Sequence, residues 1–183
     1  YAVIGEEMVI HLSDWGKTMH FPKDNAFGYG MAGDIAFVAT KSRGNLESCT
    51  VYKLVKGKEE PVVTELAIHP RNYFESAGIH FQTVDDRISF LIVYGLDKYE
   101  EEEGFLDIYR TTDGGETWEE MQGGNAPTWD DHEDLVMWKF FDENIGIRTH
   151  ECYTTNALED RTRVTFDGGK SWQRLSELPY GPD

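Results

Sequence analysis

The stretch Thr111-Thr112-Asp113-Gly114-Gly115-Glu116-Thr117-Trp118 is matched later in the chain by Thr165-Phe166-Asp167-Gly168-Gly169-Lys170-Ser171-Trp172. Both follow one pattern, Thr-x-Asp-Gly-Gly-x-(Thr/Ser)-Trp. An aspartate in a turn accepts hydrogen bonds from backbone amides two or three residues further on, and glycine supplies the positive φ angles that other residues adopt only with strain. We therefore predict that each stretch is a hairpin turn, with the tryptophan packing back over it at the start of the returning strand.

The two stretches resemble the Asp-box, or BNR repeat, Ser/Thr-x-Asp-x-Gly-x-x-Trp, of sialidase-like β-propellers. In that family the box joins the third and fourth strands of a blade and lies on the face away from the ligand site. The resemblance thus implies a fold more strongly than an activity. It also implies structural roles for the residues at the fixed positions of the box, which are Thr111, Asp113, Gly115, Trp118, Thr165, Asp167, Gly169 and Trp172.

Two further hairpins are predicted in the first third of the chain. The segment 12–19 keeps Asp14, Gly16 and Thr18 at box spacing and follows a strand-like run, so we interpret it as a degenerate third box. The segment 56–60 lies between two apolar runs and is interpreted as a hairpin that lacks the box. The chain is therefore a series of related units.

Each unit contains four predicted strands, here named a, b, c and d, and has about fifty residues, the size of a propeller blade. The predicted fold class is all-β, with four-stranded antiparallel blades of the β-propeller type and Asp-box hairpins. The chain would form a partial propeller of about three and a half blades. The predicted boundaries are a half blade over 1–22 and blades over 23–68, 69–123 and 124–183.

Such an arc leaves blade edges open. A closed propeller has four to eight blades, and the amides and carbonyls of an open edge are available for pairing. We therefore expect further blades upstream of this chain, a homodimer that completes the ring, or a segment that caps the arc.

Composition limits the function classes. The chain has 183 residues and a formal net charge of −17, which argues against nucleic acid as a partner because phosphates would be repelled. The sequence has no apolar run long enough to cross a bilayer, so we expect no membrane insertion. Two acidic runs, 100–103 and 130–134, lack the alternating ligand spacing of a calcium loop. We expect no metal and no other cofactor.

The two cysteines and the first residue bear on the cellular location. Cys49 and Cys152 have no metal-ligand spacing and do not identify a redox compartment. The chain begins with Tyr1 and contains no signal peptide, so we expect that a preceding segment was removed or lies outside it. We expect an extracellular or cell-surface bacterial protein whose signal is not in this chain.

The ligand site is expected on the face opposite the box turns, where the d-to-a and b-to-c connections meet. These connections carry aromatic rings, an arginine, carboxylates and a histidine, which suit a carbohydrate or a protein ligand through stacking and bidentate hydrogen bonds. The candidate ligand-binding residues are Arg71, Tyr73, Glu75, Trp129, Asp131 and His132.

Catalysis is not expected from this chain by itself. The Arg-Ile-Pro motif and the arginine triad of sialidases are not found in the sequence, and no Tyr-Glu nucleophile pair can be assigned. No catalytic residue is therefore named, and the expected function is that of a non-catalytic binding module. The alternative is a fragment of a sialidase-like glycoside hydrolase, in which two loop carboxylates would act as acid and base.

Overall fold

The computed structural model describes residues 2–4, 7–12, 15–22, 26–41, 48–68, 74–97, 104–122, 134–151 and 162–179. In these ranges nearly all regular structure is β, and a short 3-10 helix lies at Leu175–Glu177. The strands are β1 Ala2–Ile4, β2 Glu7–Leu12, β3 Lys17–Pro22, β4 Ala26–Ala32, β5 Ile35–Lys41, β6 Ser48–Val55, β7 Val62–Ala67, β8 Phe74–Thr83, β9 Ser89–Asp97, β10 Gly104–Thr111, β11 Glu119–Gln122, β12 Asp134–Phe140, β13 Gly146–Glu151, β14 Thr162–Thr165 and β15 Gln173–Arg174.

The strands form four antiparallel sheets in which neighbours in the chain are neighbours in space. The first sheet has the order β1-β2-β3, and the second has the order β4-β5-β6-β7. The third runs β8-β9-β10-β11 and the fourth β12-β13-β14-β15. The predicted fold class, an all-β fold of four-stranded antiparallel blades forming part of a propeller, is confirmed.

The first sheet differs from the sequence interpretation in one strand. We expected two strands before residue 23, but β1 adds a third, with Ala2 opposite Val9 and Ile4 opposite Glu7. Three residues of mixed apolar character are too short a run to show a strand period. The first sheet therefore contains strands b, c and d.

In the third sheet and also in the fourth, the a-b turn and the c-d turn lie side by side at one end of the sheet. The Gly114 amide donates a hydrogen bond of 2.8 Å to the Arg87 carbonyl oxygen, and the Gly168 amide donates one of 2.8 Å to the Asn144 carbonyl oxygen. Each bond joins the c-d turn to the a-b turn. Because the strands are antiparallel, the b-to-c and d-to-a connections leave from the opposite end of each sheet.

The second sheet keeps this arrangement without a box. Its c-d hairpin lies between β6 and β7, where the sequence predicted a hairpin over 56–60. The Lys56 amide donates to the Asp34 carbonyl oxygen at 2.9 Å, which is the same link between the c-d and a-b turns. The link therefore does not require the Asp-box sequence.

Consecutive sheets pack face to face, and their turn ends are adjacent. The Lys17 ammonium donates to the Lys58 carbonyl oxygen across the first and second sheets, at 2.6 Å. Arg110 Nη1 donates to the Glu143 carbonyl oxygen across the third and fourth sheets, at 2.7 Å. The turn ends of the sheets therefore form one face of the molecule.

The core consists of three apolar clusters, each of which joins two consecutive sheets. The first and second sheets share a cluster that contains Ile10, Phe21, Val38 and Leu54. The other two clusters join the second to the third sheet and the third to the fourth. Their buried members are Phe37, Ala39, Cys49, Val51, Leu66, Ile68, Phe81, Leu91, Val93 and Tyr109 in the former, and Phe90, Ile92, Leu106, Ile108, Met121, Trp138 and Phe140 in the latter.

Two glycines let the inner strands of the second and third sheets approach closely. A Cβ atom on Gly28 would lie 2.7 Å from Ile79 Cγ2, and one on Gly30 would lie 2.8 Å from Phe81 Cδ1. Because real Cβ atoms do not approach so closely, β4 can lie against β8 only with glycine at these positions.

Within the described ranges, no helix has the length and apolar character needed to cross a membrane.

Candidate functional site

The first Asp-box turn is held by hydrogen bonds among its own residues. The Asp113 carboxylate accepts bonds of 3.0 Å from the amides of Glu116 and Thr117 and one of 2.6 Å from the Thr117 hydroxyl. The Thr111 hydroxyl donates to Asp113 at 2.8 Å and accepts from the Gly115 amide at 2.8 Å. The Asp113 and Thr111 side chains therefore form their hydrogen bonds within the turn itself.

The second box repeats this geometry nearly atom for atom. The Asp167 carboxylate accepts from the Ser171 amide at 2.9 Å and from the Ser171 hydroxyl at 2.6 Å. The Thr165 hydroxyl donates to Asp167 at 2.8 Å and accepts from the Gly169 amide at 2.8 Å. Serine thus replaces threonine without changing the hydrogen bonds.

Both box aspartates are held in the charged form. Hydrogen bonds from the hydroxyl and amide of Thr117 lower the pKa of Asp113 well below its usual range. Burial by itself would raise the pKa of Asp167, but bonds from Ser171 and Thr165 outweigh it, and the net pKa is lowered. A general acid needs a raised pKa, so these carboxylates are not suited to acid catalysis at neutral pH.

The box tryptophans pack between sheets. Trp118 stands edge-on to Phe37 of the second sheet, with ring centroids 5.8 Å apart, and edge-on to Phe81 at 5.9 Å. Trp172 stands edge-on to Trp138 at 5.4 Å, and the Arg148 guanidinium lies 4.6 Å from the Trp172 ring centroid. Each box therefore contributes to the core that joins its sheet to the preceding one.

Charged residues also connect each box to the preceding sheet. Glu116, at the variable position after the two glycines, forms an ion pair with Lys53 of β6. Lys170 occupies the same position in the second box and pairs with Glu119 of β11 at 2.9 Å. The same carboxylate also pairs with Arg110 at 2.8 Å. Sequence reasoning missed these pairs, because their partners are distant in sequence.

Sequence reasoning also missed a second repeated turn that begins with an aspartate. In the a-b turn of the third sheet, the Asp85 carboxylate accepts from the Arg87 and Ile88 amides at 2.8 and 2.7 Å. In the fourth sheet, Asp142 accepts in the same way from the Asn144 and Ile145 amides, both at 2.7 Å. The shared Asp-x-x-Ile spacing is the sequence signal that could have identified this second repeated turn.

The hairpin interpreted as a degenerate third box has a different geometry. Its strands pair up to Leu12 opposite Lys17, whereas pairing in the first box ends at Arg110 opposite Glu119. Thr18 lies in β3, and its hydroxyl oxygen is 2.9 Å from His11 Nδ1 instead of within the turn. Gly16 has the expected positive φ, +62°, but Asp14 lies outside the described residues. The strands beside this turn therefore pair differently from those of the first box, and the interpretation of segment 12–19 as a degenerate box stays a prediction.

Five of the six predicted ligand-binding residues lie in segments that the structure does not describe. These segments, 69–73 and 123–133, contain Arg71, Tyr73, Trp129, Asp131 and His132. Glu75 lies at the start of β8, at the end of the third sheet remote from the box turn. The two segments connect β7 to β8 and β11 to β12, so they join the sheets at that same end. The role of all six residues stays a prediction.

An exposed apolar patch lies at the turn end of the fourth sheet and consists of Phe141, Ile145 and Phe166. The third-sheet counterparts of Phe141 and Ile145 are Val84 and Ile88, which are partly buried against the cluster shared with the fourth sheet. Among the described residues, these positions are thus covered by the fourth sheet where they belong to the third sheet, and exposed where they belong to the fourth.

Metal ligands do not cluster in the part of the chain that the structure describes: no three His, Cys, Asp or Glu side chains there could hold a metal ion together. Both acidic runs considered from the sequence fall largely outside the described ranges. The expectation that no metal binds at those runs stays a prediction.

A family model described as BNR/Asp-box repeat matches residues 109–120 and 163–174, which contain the two box turns. Among curated proteins, no match to this chain is found. The matched residues and the four-stranded antiparallel sheets agree, so the predicted resemblance is confirmed: the chain carries two Asp-box repeats, and its fold is consistent with a sialidase-like propeller.

Proposed function

We propose that this chain, which carries two Asp-box repeats, is a non-catalytic propeller-type module that binds a carbohydrate or a protein on the face opposite its box turns. The observation that supports the proposal is that the box side chains form hydrogen bonds within their own turns. Asp113 and Asp167 direct their carboxylates into their own turns, and Thr111 and Thr165 do the same with their hydroxyls. The box aspartates and threonines therefore have few hydrogen-bonding groups left for a ligand.

The opposite end of the sheets has suitable chemistry. The connections that leave there carry Arg71, whose guanidinium can bind a carboxylate through two parallel hydrogen bonds. Tyr73 and Trp129 supply flat rings on which a sugar or an aromatic side chain can stack. Glu75, Asp131 and His132 would add hydrogen bonds that orient the ligand.

The absence of catalysis is proposed from the sequence. No Arg-Ile-Pro segment accompanies the boxes, and no Tyr-Glu nucleophile pair can be assigned. A non-catalytic module needs stacking surfaces and hydrogen bonds but no tuned acid and base.

The test combines a glycan-array screen with a fluorogenic sialoside assay on the purified chain. We expect saturable binding without turnover. Arg71→Ala and Trp129→Ala should each weaken that binding at least about tenfold, because a tenfold change corresponds to only 1.4 kcal/mol of binding free energy. Arg87→Ala and Phe166→Ala are the matched controls, since both residues lie at the turn end of the sheets, and they should leave binding unchanged.

Two results would contradict the proposal. Sialoside turnover that disappears in Glu75→Gln or Asp131→Asn would identify a glycoside hydrolase instead. Equal losses in the test and control variants would place the ligand outside the predicted face.

A further inference from the structure

His80 lies in the junction between the third and fourth sheets. It is on β8, the inner strand of the third sheet, directly opposite Ile92 of β9. Directly opposed residues share one face of a sheet, and Ile92 is buried in the cluster that joins the third sheet to the fourth. The His80 ring therefore points toward the fourth sheet.

The hydrogen bonding around His80 favours a neutral ring. Its Nε2 atom is shielded from solvent and has no hydrogen-bond partner among the described residues. Trp138 Nε1, on β12 in the same junction, is likewise a buried donor without a partner in the described part of the chain. A protonated imidazole carries a hydrogen on both ring nitrogens. Protonation of His80 would therefore leave its Nε2–H as a buried donor without an acceptor, which is unfavourable.

The groups that surround His80 also oppose a positive charge on its ring. Burial and the nearby Lys139 ammonium of β12 lower the pKa of His80 below its ordinary value of 6.5. Arg148 of β13, whose guanidinium lies over the Trp138 ring, places a second cation in the junction. Tyr94 of β9 shares the face of His80, and β4 sets glycines against β8. The described side chains of β4, β9 and β12 include no carboxylate that could stabilise an imidazolium.

The side chain next to His80 on this face of β8 binds the backbone of β12. Gln82, two residues further along, donates to the Phe140 carbonyl oxygen at 2.6 Å and accepts from the Phe140 amide at 2.8 Å. Both bonds cross from the third sheet to the fourth. The group that binds β12 and the group that can take up a proton are therefore neighbours on one strand face.

We propose that His80 is an acid-sensitive switch for the junction between the third and fourth sheets. At neutral pH the uncharged ring allows β12 to pack against β8. Protonation creates a buried cation beside Lys139, and the ring regains water only when β12 separates from β8 and the bonds between Gln82 and Phe140 break. Acid therefore opens the junction while each sheet keeps its own strand pairing. The inference concerns the contact between two sheets and does not rest on the ligand face proposed above.

The closed junction binds a proton on His80 less tightly than the open junction does, because the lowered pKa belongs to the closed form. The closed form therefore has its full stability above pH 6.5 and loses stability as the pH falls from 6.5 toward the lowered pKa. For one histidine with an ordinary pKa of about 6.5 in the open form, the open population rises by at most about 25-fold between pH 7 and pH 5.

The Phe140 amide is the direct probe of the junction, because its hydrogen bond to Gln82 crosses from one sheet to the other. Its hydrogen exchange is measured by NMR at pH 7 and pH 5 and corrected for the intrinsic pH dependence of amide exchange. The Gly114 amide, bonded to the Arg87 carbonyl oxygen within the third sheet, is the internal reference. We expect opening at Phe140 to rise about tenfold from pH 7 to pH 5, while opening at Gly114 changes by less than about twofold.

Two pairs of variants separate the titration of His80 from its packing. His80→Gln should abolish the acid-induced rise at Phe140, whereas His11→Gln, at an exposed histidine of β2, should keep it. Lys139→Glu should raise the pH at which the His80 ring signals titrate, because it replaces a repelling charge with an attracting one. Lys58→Glu makes the same charge change in the second sheet and should not move that titration. Both lysines are exposed, so these two variants should fold even if His80→Gln does not.

Three results would overturn the proposal. Opening at Phe140 that does not change with pH, or that rises equally in the parent protein and in His80→Gln, would show that His80 does not control the junction. An equal rise at Gly114 would show acid unfolding of the sheets in place of opening between them. A His80 titration that Lys139→Glu leaves unchanged would show that the charge of β12 does not act on this ring.

Discussion

The box aspartate is the residue on which the local structure depends. Asp113 accepts hydrogen bonds from three groups that follow it in the turn, and its side chain is exposed on one side. Each bond to a charged acceptor is stronger than a neutral one, but solvent screens an exposed carboxylate. The aspartate therefore fixes the turn conformation and contributes moderately to stability.

Asp113→Ala should lower the free energy of unfolding by roughly 1 kcal/mol at pH 7, because the turn amides lose their acceptor. Asp86→Ala, at an exposed aspartate in the adjacent turn, is the matched control and should change it by less than about 0.5 kcal/mol. Urea unfolding of both variants and of the parent protein measures these differences.

The effect of Asp113 should also depend on pH. Its folded-state pKa is lowered, so its stabilising contribution is present in full above the unfolded value of about 3.9. The contribution is lost as the pH falls below that value toward the lowered pKa of the folded state. The difference between the parent protein and Asp113→Ala should therefore shrink only in acid, and a difference that is lost near neutral pH would contradict this account.

At the scale of the element, the box turn depends on the backbone conformation of its glycines and on their packing against the neighbouring sheet. Gly115 has a φ of +86°, and a Cβ atom there would lie 2.5 Å from Phe37 Cε1. Gly57, in the hairpin without a box, has a similar φ of +80°, but a Cβ atom there would have no neighbour within 4 Å. The two glycines share a backbone conformation and differ in what surrounds them.

Gly57→Ala should therefore cost about 1–2 kcal/mol of stability, which is the penalty of a left-handed conformation. Gly115→Ala should cost that amount and about 1–3 kcal/mol more, because the added methyl group overpacks the site against the Phe37 ring. Thermal unfolding of the pair separates conformation from packing. Equal losses would show that the first box is not pressed against the second sheet.

The elements were largely predictable because their signals are local. The Asp-Gly-Gly pattern identified both box turns, and the apolar runs on either side identified their strands. At Gly16 the sequence spacing matches the box, but the sequence did not indicate that the flanking strands pair up to Leu12 opposite Lys17. Spacing alone does not show where strand pairing resumes.

At the scale of the whole molecule, one packing arrangement occurs twice. Phe37 lies against Phe81 and Trp118, and Phe90 of the third sheet stacks on Phe140, which in turn contacts Trp172. In both sets, one sheet supplies the first ring and the next sheet supplies an inner-strand ring and a box tryptophan. The boxes thus hold consecutive sheets together.

This level of structure could not be predicted from the sequence. The ion pair of Lys53 with Glu116 and the bond from Arg110 to Glu143 join residues whose proximity depends on how two sheets align. That alignment is set by side-chain volumes at the interface, such as the missing Cβ atoms of Gly28 and Gly30, and not by a local pattern. The ligand-face residues stay predictions, since the segments that carry most of them are not described.

The most direct test of the central claim, that Asp-boxes join neighbouring sheets, is the unfolding free energy of Trp118→Ala beside that of Phe166→Ala. Both variants remove an aromatic ring from a box, but Trp118 packs on Phe37 and Phe81, whereas Phe166 is exposed. Trp118→Ala should lower the unfolding free energy by about 3–5 kcal/mol, and Phe166→Ala by less than about 0.5 kcal/mol. A Trp118→Ala variant as stable as the parent protein would contradict the account.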